Sequence, residues 1–68
     1  LADGWQRTAQ PRAGDLLILR IAMRPWHCGL MLNSAQFLHA APNDSTVIER
    51  LDRPQWARRI EGIYRHAR

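Results

Sequence analysis

The 68-residue sequence predicts a small domain built mostly from antiparallel strands with one short helical turn. Three observations carry that expectation. Leu16-Leu17-Ile18-Leu19 is a continuous apolar run of strand length. The stretch from Trp26 to Ala40 reads as two short apolar runs either side of an Asn33-Ser34-Ala35 break, which is a β-hairpin pattern. Thr46-Val47-Ile48-Glu49-Arg50 is a further short run, preceded by the turn-forming cluster Ala41 to Ser45.

From the N-terminus, residues 1 to 14 mix Gly4, Gln6, Thr8, Gln10, Pro11 and Gly14 with little periodicity and are expected to be a loop or a frayed end, with Trp5 packed on something. Asp15 follows Gly14 at a strand entrance, where a carboxylate serves as a turn residue accepting backbone hydrogen bonds rather than as an acid. The run it opens suits a central strand buried on both faces. Arg20 to Pro25 turns the chain, because Pro25 cannot donate to a ladder. After the hairpin, residues 41 to 45 form a loop and Thr46 to Arg50 a strand. Beyond Asp52 the signals conflict. Asp52 is placed to cap a helix with Pro54 in its first turn, and Trp56, Ile60 and Tyr64 fall at helical spacing, yet Gly62 interrupts the run. The expectation is a helical turn over Pro54 to Arg59, followed by a strand near Gly62 to Arg65.

Size and charge bound the rest. A chain this short buries only about 60% of the surface it exposes unfolded, so its own core is marginal. The single cysteine, Cys28, cannot bridge internally, and no CxxC or HxxxH spacing offers a metal staple. A larger chain or a partner is therefore expected, and the start at Leu1 rather than Met points to a beginning further upstream. All ten basic residues are arginine against four Asp and two Glu, for a formal charge of +4. The arginines are scattered and form no basic run, which reads as a solvated surface; nucleic acid is not an expected partner. No stretch approaches the roughly 18 consecutive apolar residues of a membrane span.

The hairpin holds two of the three histidines, and strand alternation decides which of its side chains can cooperate. His27, Gly29 and Met31 share one side of the first strand, and Cys28, Leu30 and Leu32 share the other. A loop with an odd number of residues sets His27 and His39 on one face, whereas a two-residue Asn33-Ser34 turn moves His39 beside Cys28. Matching Leu30 and Leu32 with Leu38 and Ala40 as a core face favours the odd loop. The histidines are then neighbours, and Cys28 points away from them as a core residue. Two imidazoles on one face suit a general base oriented by a second polar group, with Gly29 leaving space between Trp26 and Phe37. A zinc site from His27, Cys28 and His39 would need convergent ligands, while adjacent strand residues diverge; no metal or cofactor is expected.

Gly14-Asp15-Leu16-Leu17, His27-Cys28-Gly29-Leu30 and Phe37-Leu38-His39-Ala40, in that order, resemble the second half of NlpC/P60 cysteine peptidases. The resemblance covers residues 10 to 66, and the ending from Trp56 to Arg65 looks like phage-tail-associated members. It implies a papain-like α+β fold whose antiparallel sheet is present here without the helical nucleophile half. It also implies that residues 1–68 are part of a larger domain. His27 would be the general base and acid, His39 its orienting partner, and a cysteine at a helix start upstream the nucleophile, its thiol pKa lowered by the helix terminus. The implied substrate and partner is bacterial peptidoglycan, cleaved in its stem peptides, with other phage tail proteins as further partners and the virion tail or bacterial cell envelope as the location. Because residues 1 to 13 hold no cysteine, the chain alone is expected to be inactive. The alternative is a non-catalytic structural or wall-binding module derived from the same fold. Trp5 and Trp56 are expected to pack, Trp26 to contact substrate because it adjoins His27, and His66 to be a surface group.

Overall fold

A computed structural model describes residues 4–21, 24–40 and 45–66, and for residues 24–26 the backbone alone. Among these residues, β1 (Trp5–Arg7), β2 (Leu16–Ile21), β3 (Arg24–Met31), β4 (Gln36–Ala40), β5 (Thr46–Arg50) and β6 (Ile60–His66) form one sheet in the order β1-β6-β2-β3-β4-β5, every neighbouring pair antiparallel. A single helical turn, α1 (Pro54–Ala57), lies between β5 and β6 in the chain.

β2 is central, between β6 and β3, as its apolar run predicts. It is not buried on both faces. Leu17 and Leu19 are fully buried, whereas Leu16 and Ile18 on the opposite side are half-buried, because among the described residues one face of the sheet has no cover. The expected loop at the N-terminus contains β1, which pairs Trp5 with His66 and Arg7 with Tyr64. Three residues are too few to show a period; the open edge of β6 supplies the order, and the Trp5 ring sits edge-on to His66 at 5.1 Å. Pro25 stands inside β3 rather than in a turn. A proline is tolerated there because it falls between the Leu19–His27 and Ile21–Arg24 pairs, where the β2–β3 register shifts and the ladder is irregular. Residues 22–23 of the expected turn and 41–44 of the expected loop lie outside the described residues.

The β3–β4 hairpin pairs Leu30 with Leu38 and Met31 with Phe37, so its loop is the odd one, Asn33-Ser34-Ala35. Asn33 closes it: its Oδ1 accepts the N–H groups of Ala35 and Gln36, both at 2.8 Å, and its Nδ2 donates to Oε1 of Gln36 at 2.9 Å. A short side-chain amide that bonds its own backbone two and three residues on is the usual device for such a turn.

The core follows from that register, on the face opposite to the one expected. Leu17, Leu19, Met31, Phe37, Trp56 and Ile63 form the buried cluster, with Ile21, Leu51 and Ile60 against it. Leu30, Leu32, Leu38 and Ala40 are not a core face; Leu30 is 44% and Ile48 57% exposed, and Cys28 is exposed rather than buried. Both faces are apolar, so alternation alone cannot rank them. The ranking comes from the β5–β6 connection, which carries Trp56 over the His27, Gly29 and Met31 side and over no part of the other. A register shift in β6 completes this arrangement: Ile18 pairs with Gly62 and Leu19 with Ile60, so Glu61 is an extra residue and both Ile60 and Ile63 face the core despite their odd separation.

α1 begins with Pro54 after Arg53, as the helical-turn reading requires, but Asp52 does not cap it. The Asp52 carboxylate instead accepts from Nε and Nη2 of Arg50, at 3.1 and 3.0 Å. Asp15 is a turn acceptor for the N–H of Arg12 at 2.9 Å, and more than that. Buried at the entrance of β2, it takes both Nε and Nη2 of Arg65 at 2.9 and 2.8 Å, tying β2 to the far end of β6. The Arg65 guanidinium holds the Asp15 carboxyl below its ordinary range, against the opposing effect of burial.

Candidate active site

Four elements meet around two imidazoles. β3 presents His27 on the core side of the sheet, where it pairs across to Leu19 of β2. β4 presents His39 on the same side two residues after the fully buried Phe37, and β5 lines the margin with Val47 and Glu49. α1 supplies Trp56 from above. The site is possible because Gly29 has no side chain. A Cβ there would stand 3.0 Å from Cδ2 of Phe37 and 3.2 Å from the Leu38 carbonyl oxygen, tighter than ordinary packing allows.

Nε2 of His27 and Nδ1 of His39 are 2.9 Å apart, with the rings edge to face at 83° and their centroids separated by 5.0 Å. One ring nitrogen must donate its proton to the lone pair of the other, so the bond couples the tautomers of the two residues. Trp56 meets His39 at 5.0 Å and 70°, Phe37 packs against it at 5.3 Å, and only 7% of the His39 side chain remains exposed. His39 is therefore held, while His27 stays partly accessible. Burial, helped by the neighbouring His39, pushes the His27 pKa below its ordinary value of 6.5. His27 is accordingly a neutral base at neutral pH, hydrogen-bonded to a clamped partner.

Two further polar atoms are buried here. Nε2 of His39 and Nε1 of Trp56 have no hydrogen-bond partner among the described residues. Oε2 of Glu49 lies 3.6 Å from that His39 nitrogen, and the Glu49 side chain is 31% exposed. Sequence reasoning assigned Glu49 only to a strand. The available signal was parity: in β5, Val47 and Glu49 are the half-buried positions, which sets a carboxylate on the inward side.

The other candidates are elsewhere. Cys28 points out of the opposite face, and no thiol stands near His27 among the described residues. His66 is exposed at the far edge against Trp5. The Trp26 side chain, expected to contact substrate, lies outside the described residues.

Residues 3–65 match the model of the NlpC/P60 family. The chain is also similar to the Murein DD-endopeptidase MepS/Murein LD-carboxypeptidase of Escherichia coli strain K12, and equally to those of strains O6:H1 and O157:H7, at 32% identity over 48 residues. The match takes in 71% of this chain and 26% of each relative, so the chain spans about a quarter of the length of the curated relatives it matches. With its sheet, its histidine hairpin and nearly its whole length covered by the family model, the chain belongs to the NlpC/P60 family.

Proposed function

We propose that the intact protein carrying this chain is a cysteine peptidase that hydrolyses stem peptides of bacterial peptidoglycan, with His27 as its general base and acid and His39 orienting the ring. The observation that carries this reading is the 2.9 Å bond between a partly accessible imidazole and a second imidazole clamped under Trp56. Family membership and the murein peptidases among the similar proteins favour it.

In the proposed reaction, Nδ1 of His27 takes the proton of a cysteine thiol supplied from outside these residues, and the thiolate attacks the amide carbonyl carbon. The tetrahedral intermediate collapses as His27 returns that proton to the leaving amine, which departs and leaves a thioester. Water then gives a proton to His27 and adds to the thioester carbonyl. Collapse breaks the C–S bond, and the sulfur regains its proton from His27. His39 keeps the imidazole plane fixed through both proton transfers, as the third member of a nucleophile, base and orienter set does.

On this reading the strands belong to a papain-like α+β domain, of which residues 1–68 are the histidine-bearing part, and Trp26 next to His27 is the proposed substrate contact. The proposed setting is the bacterial envelope or a virion tail. His27→Ala in the intact protein is expected to abolish release of soluble peptides from purified peptidoglycan, and retained turnover would sink the proposal. A second reading, a non-catalytic wall-binding or structural module, is favoured by one observation: the cysteine of this chain faces away from His27. It predicts co-sedimentation with peptidoglycan and no cleavage.

A further inference from the structure

A ring that must hold His27 through Nδ1 can do so as a donor or as an acceptor, and only one choice leaves His27 able to act as a base at its other nitrogen. If His39 donates from Nδ1, then Nε2 of His27 is the acceptor and the proton of neutral His27 sits on Nδ1, where it blocks uptake of a second one. If His39 carries its proton on Nε2, its Nδ1 accepts from Nε2–H of His27, and Nδ1 of His27 is bare. The second arrangement needs an acceptor for a buried Nε2–H of His39, since burying a donor with no partner is costly.

We infer that Glu49 is that acceptor, a positioning residue whose carboxylate fixes His39 as the Nε2–H tautomer and so leaves Nδ1 of His27 free to take a proton. Four observations support it. His39 Nε2 is buried and has no other partner among the described residues. Oε2 of Glu49 is 3.6 Å away, too close for a bridging water and within a small side-chain rotation of a direct bond. Glu49 sits on β5 opposite Phe37, the residue two before His39, which sets it diagonally across the strand pair on the same side. Trp56 and Phe37 pack their rings against His39 at 5.0 and 5.3 Å and offer its Nε2 no acceptor. The carboxylate adds a second effect: when His27 becomes imidazolium, a negative charge at the far end of the pair steadies it, and attraction draws the 3.6 Å contact shorter.

The inference deepens the peptidase reading and rests on it for its catalytic consequence, whereas the tautomer itself is measurable without turnover. The experiment is nuclear magnetic resonance of the intact protein with isotope-labelled histidine ring nitrogens, alongside steady-state kinetics on a soluble stem peptide, for the natural sequence, Glu49→Leu and Glu49→Gln. The expected result is an Nε2–H tautomer at His39 in the natural sequence, kept in Glu49→Gln, whose amide oxygen still accepts, and lost in Glu49→Leu. In the kinetics, kcat of Glu49→Leu falls about ten- to a hundredfold, the range for losing an imidazole's outer partner, with KM within about twofold, and Glu49→Gln recovers much of the loss. An Nδ1–H tautomer at His39 in the natural sequence overturns the inference, and so does an unchanged tautomer in Glu49→Leu. An intact protein with the expected tautomer pattern but no turnover removes the peptidase reading and leaves the assignment of Glu49 standing.

Discussion

The two faces of the sheet are built from the same kinds of residue and have opposite fates. One carries Leu17, Leu19, Met31 and Phe37, all essentially inaccessible, and on it the histidine pair is bonded at 2.9 Å. The other carries Leu30, Leu32 and Ile48, all exposed, together with Cys28. Neighbours in sequence, His27 and Cys28 thus stand in different chemistries. What separates the faces is not hydrophobicity but cover: α1 brings Trp56 to one of them, and an apolar surface left open on the other is what a further segment or partner would bury.

Breaking the pairwise contrast between His27 and Cys28 should have the largest effect. In the intact protein His27→Ala is expected to lower kcat/KM by more than about a thousandfold, in line with loss of a catalytic base, while Cys28→Ser leaves it within about twofold. Equal losses in the two variants would mean that the faces are not functionally distinct.

A stability contrast comes next. Phe37→Ala should cost about 3–5 kcal/mol in denaturant unfolding, because it empties the space above Gly29 and beneath Trp56. Ile48→Ala should cost under about 1 kcal/mol if its face stays open. A cost for Ile48→Ala near that of a buried isoleucine, about 2 kcal/mol or more, would sharpen the comparison by showing that the intact protein covers the second face as well.

Asp15 offers a smaller and pH-dependent effect. Asp15→Ala removes the acceptor of the Arg12 N–H and leaves the Arg65 guanidinium only the Gln10 carbonyl, and is expected to destabilise by about 2 kcal/mol. The folded pKa of Asp15 lies below its ordinary 3.8, so its contribution is complete above that value and fades as pH falls through the folded one. The natural sequence should therefore lose stability below about pH 4 more steeply than Asp15→Asn, read from unfolding midpoints across that range.

The smallest effect belongs to His27. Its folded pKa also lies below the ordinary value of 6.5, so the unfolded chain binds the proton more readily. Stability is complete above about pH 6.5 and declines as pH drops below it, and His27→Asn should flatten that part of the profile. An equally steep decline in the variant would assign the effect to another group.

Much of the strand framework was legible because it is local. The apolar run at Leu16, the odd break at Asn33, the short run at Thr46 and the Pro54 turn each declare themselves within a few residues. The proximity of His27 and His39 was legible too, since matching the apolar positions across the break favours the odd loop, and alternation then sets both on one side. It was reached through the leucines of Leu30 and Leu38, which indeed pair, although on the open side. β1 was hidden because it has no pattern of its own, and Pro25 was misplaced because its tolerance depends on the irregular pairing of β3 with β2. Glu49 was hidden as well; an acid in a strand is ordinary until a neighbouring strand is known to carry a buried imidazole at its level.

The sequence by itself determined strand alternation and, once the odd loop is chosen, which side chains are companions: His27 with His39, Cys28 with the leucines. Side-chain alternation is a property of the extended backbone and needs no partner to be read. Which company is inside was decided only in three dimensions. A sheet with two apolar faces has no inside until something crosses one of them, and here that choice is made by Trp56, seventeen positions beyond His39 in the chain and 5.0 Å from it in space.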